Sequence, residues 1–174
     1  MKTSDLHRTR IANDYKDMLT IQKTSMVSWV ATKGTPPYVE EYLLTVHIRT
    51  YCSPTETIDR EVIRLSLPDQ YPLVAPLAVM DEKLSDGKLI YHPNWYPGGK
   101  WCCGKYPPSE KLINYVTRML MSLQYDETLI NPKSPANIPA KNWYLTHKGD
   151  PKYYPSDKSP LPTITAKPHF KRLR

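Results

Sequence analysis

The chain has 174 residues, a formal net charge of +7, 40% apolar and 24% charged residues. Such a length fits one domain with short extensions, large enough to bury a core without disulfide staples. No run approaches the ~20 apolar residues a bilayer span requires, so a transmembrane role is excluded. Cys52, Cys102 and Cys103 are too few, and odd in number, for a disulfide framework. The opening MKTSDLHRTR carries no apolar h-region, so a secretory signal is not expected and the cytoplasm is the default.

Residues 4–22 read as a helix: Ser4 is the N-cap candidate, and Ile11, Tyr15, Met18 and Gln22 recur at helical spacing with Leu19 beside them. His7, Arg8, Arg10 and Lys16 make the rest of it basic. Strands are expected over 26–34, 41–51, 59–68 and 75–80. In the second, Leu44, Val46 and Ile48 face one way and Thr45, His47 and Arg49 the other; in the third, Ile63, Leu65 and Leu67 share a face. Turn-rich links make these an antiparallel meander. Residues 85–110 form a long Gly- and Pro-rich loop, a feature that is often functional in a compact domain. Residues 110–124 give the strongest helix, with Leu112, Val116, Met119 and Leu123 in one stripe widened by Ile113 and Leu120. A loop (131–137) and a short helix (138–149, stopped by Gly149) follow, and the chain from Asp150 reads as a loosely held segment. The fold class is therefore α+β: an N-terminal helix, a four-stranded antiparallel meander sheet, a long loop, a central helix and a C-terminal helix. A core domain is expected over 1–155 and a basic Pro/Lys-rich tail over 156–174, whose KPHFKRLR end holds four cations and no acid. Acids and bases intersperse elsewhere, and clustered base-stacking aromatics are lacking, so nucleic-acid binding is not expected.

The long loop contains YHPNWYPGGKWCCG, residues 91–104, with two of the three cysteines. Structural zinc wants spaced C-x2-4-C pairs, and these cysteines are vicinal. A C-x-x-C redox motif is absent, and a disulfide between neighbours is strained. Free cysteine commonly just packs. A glycine- and proline-rich loop is nevertheless a poor place to bury two thiols and a good place to present one, with Lys100 and Lys105 nearby to favour the thiolate. Asn94 offers a neutral donor for an oxyanion. His92, one residue before Pro93, reads as a residue that holds the loop through its ring nitrogens, with a general-base role as the alternative.

The same segment resembles the active-site segment of ubiquitin-conjugating enzymes. That family has a Tyr-His-Pro-Asn run, a glycine seven residues after the histidine and the catalytic cysteine three after the glycine; here Tyr91, His92, Pro93, Asn94, Gly99 and Cys102 fall at that spacing. LPDQYPLVAPLAV (67–79) and NPKSPANIPAKNWY (131–144) resemble the family's flanking segments, and the element order agrees. The resemblance covers residues 60–145 well and 4–59 by element order alone. Cys103 and Gly104 replace the usual Leu-Asp, YPPS replaces Trp-Ser-Pro, Trp101 stands where an aliphatic residue is usual, Ser134 falls on a gate position that is often aspartate, and the usual early hairpin motif is missing. These departures imply a divergent branch, for which a bacterial ubiquitin-like conjugation system, in antiviral defence, is one candidate.

The resemblance implies transthiolation. Cys102, with Cys103 as the alternative nucleophile, would take a ubiquitin-like modifier from an activating enzyme as a thioester and pass it to a lysine of a target protein. Asn94 would stabilise the oxyanion or hold the loop that does so, supported by His92 and Pro93. Ser134, Tyr91 and Asp126 are the candidates to desolvate or orient the amine. By resemblance too, Arg8, Arg10 and Lys16 would meet the activating enzyme, and Leu73 and Pro108 a ligase. No metal or organic cofactor is implied. The alternative is a catalytically inactive scaffold or binding module of the same fold.

Overall fold

A computed structural model of the chain describes residues 3–22 and 24–162. The KPHFKRLR end lies outside the described residues.

Helix α1 (Thr3–Met18) buries Ile11, Asp14 and Met18 and half-buries Tyr15. It stops four residues before the expected Gln22. The Trp29 indole N–H takes the Met18 carbonyl at 2.9 Å, and the chain turns so that Ile21 is buried while Leu19 stays 44% exposed. Strands β1 (Val27–Thr35), β2 (Tyr38–Val46), β5 (Glu61–Ser66) and β6 (Leu77–Met80) form the meander in the spatial order β1-β2-β5-β6, all antiparallel. The expected 41–51 strand is divided. β2 begins at Tyr38, and Thr50–Tyr51 (β3) pairs instead with Thr57–Ile58 (β4) as a separate small hairpin. The alternation still places Leu44, Val46 and Ile48 in the core, and Ile63, Leu65 and Leu67 opposite them.

Helix α2 (Leu112–Leu123) lays the whole expected stripe against the sheet: Leu112, Ile113, Val116, Met119, Leu120 and Leu123 are all buried. Its N-terminus is capped from a distance. The Asp14 carboxylate of α1 accepts the Leu112 N–H at 3.0 Å, the Tyr71 hydroxyl at 2.5 Å and the Arg10 guanidinium at 2.7 Å, so a buried charge is satisfied by three donors. Helix α3 (Ile138–His147) is capped by Asn137, whose side chain accepts the Ala140 N–H at 3.1 Å. Between α2 and α3 lies a short 3-10 turn, Glu127–Leu129, that sequence periodicity did not indicate.

The segment after Asp150 is not loosely held over its described part. Asp157 accepts the Arg49 N–H at 2.8 Å, the Ser156 hydroxyl donates to the Arg49 carbonyl at 2.9 Å, and Gln124 donates to the Ser159 carbonyl at 2.7 Å. Tyr154 joins Tyr51, Tyr125 and Tyr144 in a second aromatic core. Proline- and lysine-rich composition hid this, because the anchors are two tyrosine-sized contacts and a few polar caps rather than a periodic pattern. Among the described residues no helix is long and apolar enough to cross a membrane, and no three His, Cys, Asp or Glu side chains are grouped to hold a metal ion.

Candidate active site

The loop from His92 to Cys102 is built from two turns and a ladder. His92-Pro93-Asn94-Trp95 closes on itself through the Trp95 N–H to the His92 carbonyl at 3.1 Å, with proline in the second place where its fixed φ suits a turn. Tyr96-Pro97-Gly98-Gly99 closes the same way at 2.8 Å. Between the turns the chain doubles back as a small hairpin: Trp95 pairs with Trp101, Tyr96 N–H donates to the Lys100 carbonyl at 2.8 Å, and Cys102 N–H donates to the Asn94 carbonyl at 2.7 Å. The returning arm pairs with the free edge of β6, through Met80 N–H to Gly99 O and Trp101 N–H to Ala78 O, both 2.9 Å. Gly99 is required there. Its φ is +90°, and a Cβ would stand 3.0 Å from Leu89 Cδ2 and 3.2 Å from Met80 Cβ.

Alternation along this hairpin decides what is presented. Trp95 and Trp101 turn inward, Trp101 packing edge-on to Tyr115 of α2 at 5.0 Å. Asn94, Tyr96, Lys100 and Cys102 are left on the outer face, all partly or well exposed. Cys102 opens into a cavity of about 160 Å³ shared with Asn94, Cys103, Leu129, Asn131 and Ser134.

His92 is fully buried and its Nδ1 accepts the Asn94 N–H at 2.9 Å. That bond places the ring proton on Nε2, and burial pushes the imidazole pKa down to about 3 against a weaker opposing effect of the Ser122 backbone. His92 is thus a neutral fixture of the loop and does not line the Cys102 cavity. Pro93 is buried too, and its carbonyl accepts the Ala136 N–H at 2.8 Å, tying the loop to the start of α3. The Asn94 side chain donates to the Leu129 carbonyl at 2.7 Å. A carboxamide carries two N–H bonds, so one holds the 3-10 turn against the hairpin and the other remains for a ligand.

Cys103 lies half-buried against the core, its carbonyl held by Arg118 at 2.7 Å, and burial raises its thiol pKa, with Arg118 opposing. It lines the same cavity as Cys102.

Several expected site residues lie elsewhere. Tyr91 is not among the residues lining the Cys102 cavity; its backbone is bonded to Tyr51 and Tyr125 and its ring meets Trp143 at 6.3 Å. Asp126 caps the 3-10 turn, accepting the Thr128 N–H and hydroxyl at 2.9 and 2.6 Å, and faces a different cavity. Arg10 is turned inward on Asp14 and the carbonyls of Pro108 and Glu110. Arg8 lies 3.8 Å above the Tyr38 ring, Lys16 is exposed, and Leu73 and Pro108 are exposed on neighbouring loops. One residue was overlooked. The Tyr96 phenol stands beside the Cys102 thiol, and the charge of that sulfur, then its hydrogen bond, raises the phenol pKa. Counting alternate positions along 94–102 would have found it.

Neither a protein-family model nor a curated protein matches the sequence. Among solved structures the chain is similar to Ubc12 of S. cerevisiae, with a TM-score of 0.55 and 19% identity over 80% of this chain and 71% of that one. The chain has the ubiquitin-conjugating-enzyme fold. In this chain the loop 91–104, docked as a hairpin on β6, carries both Cys102 and the cavity.

Proposed function

We propose that the protein is a ubiquitin-conjugating-type transferase with Cys102 as the nucleophile. Supporting this most directly is Cys102 on the outer face of the hairpin, in an open cavity, with the Asn94 amide lining the same space. In the first step the Cys102 sulfur attacks the carbonyl carbon of a thioester joining a ubiquitin-like modifier to its activating enzyme. The carbonyl oxygen takes the negative charge, the activating enzyme's thiolate leaves, and a new thioester forms on Cys102. In the second step a lysine amine of a target attacks that carbon, loses its proton, and expels the Cys102 thiolate as the amide forms. The free N–H of Asn94 is the donor for the oxyanion, a contribution of about 2.7–4 kcal/mol when such a donor is well placed. Tyr96 and Ser134 flank the path of the amine.

The test is a charging reaction with a cognate activating enzyme, modifier and ATP, resolved on a non-reducing gel. A thiol-sensitive adduct should appear and be replaced by a thiol-resistant ester in Cys102→Ser. An adduct that survives Cys102→Ala and is lost in Cys103→Ala moves the nucleophile one residue on. No adduct with a verified pair favours the scaffold reading.

A further inference from the structure

Lys100 and Cys102 stand on either side of Trp101 in the returning arm of the hairpin. The backbone of this arm is pinned along both edges. On one edge the Lys100 carbonyl accepts the Tyr96 N–H at 2.8 Å, and the Cys102 N–H donates to the Asn94 carbonyl at 2.7 Å. On the other, Gly99 and Trp101 bond to Met80 and Ala78 of β6, both at 2.9 Å. Trp101 is 4% exposed, which fixes the inward face of the arm. Alternation then sets Lys100 and Cys102 together on the outward face, with Cα atoms about 6.6 Å apart. The Lys100 side chain is exposed, and among the described residues it is in no ion pair and over no aromatic ring. Its backbone is fixed and its amine is free. Two other exposed lysines lie near the cavity on different segments. Lys105 follows Gly104, whose φ of +67° ends the extended run, and Lys133 sits in the loop that brings Asn131 and Ser134.

A lysine carries its amine on a flexible four-carbon stem. A stem of that length spans the gap between residues two apart on one strand face, so the Lys100 amine reaches the carbon bonded to the Cys102 sulfur. Holding both reactants on one short strand turns the encounter into a unimolecular step. We infer that Lys100 is a self-modification site, which takes the acyl group carried as a thioester on Cys102 of the same chain. The inference deepens the proposed transfer function and rests on it for the identity of the acyl group as a modifier's C-terminus. The Lys100 nitrogen bonds to the thioester carbon, the carbon–sulfur bond breaks, the nitrogen gives its proton to solvent, and Cys102 leaves as the thiolate. The product is an amide on Lys100 and a free Cys102. Asn94 faces Cys102 across the ladder, so the same oxyanion contact serves an amine arriving from Lys100. A modifier fixed at Lys100 covers the outward face of the hairpin, and a chain left without an acceptor thus closes its own site.

The test uses the full chain and a short glycine-ended peptide as its mercaptoethanesulfonate thioester, which acylates thiols by exchange without an activating enzyme. Intact mass before and after hydroxylamine separates the thioester from the amide, and peptide mass spectrometry locates the amide. A hydroxylamine-resistant acyl group should build up on Lys100, with a first-order rate that does not change with protein concentration. Cys102→Ala should lose it. Lys100→Arg, which keeps the positive charge, should lower the resistant adduct by about tenfold or more. An amide equally abundant in Cys102→Ala, or placed mainly on Lys105 or Lys133, overturns the inference. So does a rate that rises in proportion to protein concentration, since the transfer is then between molecules. A Cys102 that takes no acyl group, or that takes one and keeps it, overturns it as well. The peptide thioester bypasses enzymatic charging. A failed charging reaction would therefore sink the transfer reading and leave a Lys100 amide standing, whereas charging without self-modification sinks this inference alone.

Discussion

The Asn94 carbonyl accepts the Cys102 backbone N–H at 2.7 Å while the Asn94 side chain holds Leu129, so one residue fixes the thiol-bearing strand and one wall of its cavity. Asn94→Ala keeps the first bond and loses the second. It should still form the thioester but discharge it about a hundredfold more slowly, and melt a few degrees lower, because a hydrogen bond of about 1 kcal/mol is lost. Single-turnover discharge and a thermal melt measure the two effects separately. Unchanged discharge with a lowered melt would leave Asn94 with a purely structural part.

The two cysteines should differ in reactivity. Cys102 is on the open hairpin face, whereas Cys103 is half-buried with a raised pKa. Iodoacetamide at neutral pH should label Cys102 first, followed by peptide mass spectrometry. Faster labelling of Cys103 would contradict the assignment of roles.

Two buried titratable groups set opposing pH trends. His92 is depressed to about 3 by burial, so the unfolded chain binds its proton first and stability is lost as pH falls below 6.5. Glu61 is fully buried, both its carboxylate oxygens lack partners, and burial lifts it to about 9, with the Ile48 backbone opposing. The unfolded chain releases that proton first, so stability is lost as pH rises from 4.5 towards 9. Between pH 4.5 and 6.5 the two slopes cancel, at about 1.4 kcal/mol per pH unit each. Urea unfolding should therefore be nearly flat with pH there in the native chain, fall with pH in His92→Gln, and rise with pH in Glu61→Gln. At neutral pH Glu61→Gln should be more stable by roughly 3 kcal/mol. Parallel curves for the three proteins would show that neither group is perturbed.

Arg10 is half-buried and tied down by its partners. Its guanidinium joins Asp14 on α1 to the carbonyls of Pro108 and Glu110 ahead of α2. Arg10→Ala should cost about 2–4 kcal/mol by leaving the Asp14 carboxylate short of a partner, whereas Lys16→Ala, on an exposed side chain, should change stability by less than about 0.5 kcal/mol. Chemical denaturation decides this. Equal, small effects would restore Arg10 to the docking face suggested by its charge.

What was legible in the sequence follows its periodicities. The α2 stripe and the alternation of β2 and β5 are dictated by burial on one face, and they lie where period and composition put them. The division of 41–51 was not legible, because Thr50 and Tyr51 continue the alternation while pairing with a different strand. Cys102 was singled out by the family resemblance and Asn94 as a neutral donor in the same loop, and both line one cavity. Leu129 and Asn131 reach the same cavity from a segment after α2, and no local pattern announces a contact across 35 residues. Asp14 was invisible for a related reason: a lone acid on an apolar helix face reads as solvated, yet it caps a helix 98 residues away.

The small hairpin at 95–101 occupies the outer rim of β6, which would otherwise offer unpaired backbone groups to another chain. The segment that displays Cys102 is thus also the guard against strand-to-strand association. Damage at Gly99 or Pro97 that frees this segment would displace the Cys102 thiol and expose the β6 edge in one event, so solubility reports on the integrity of this hairpin.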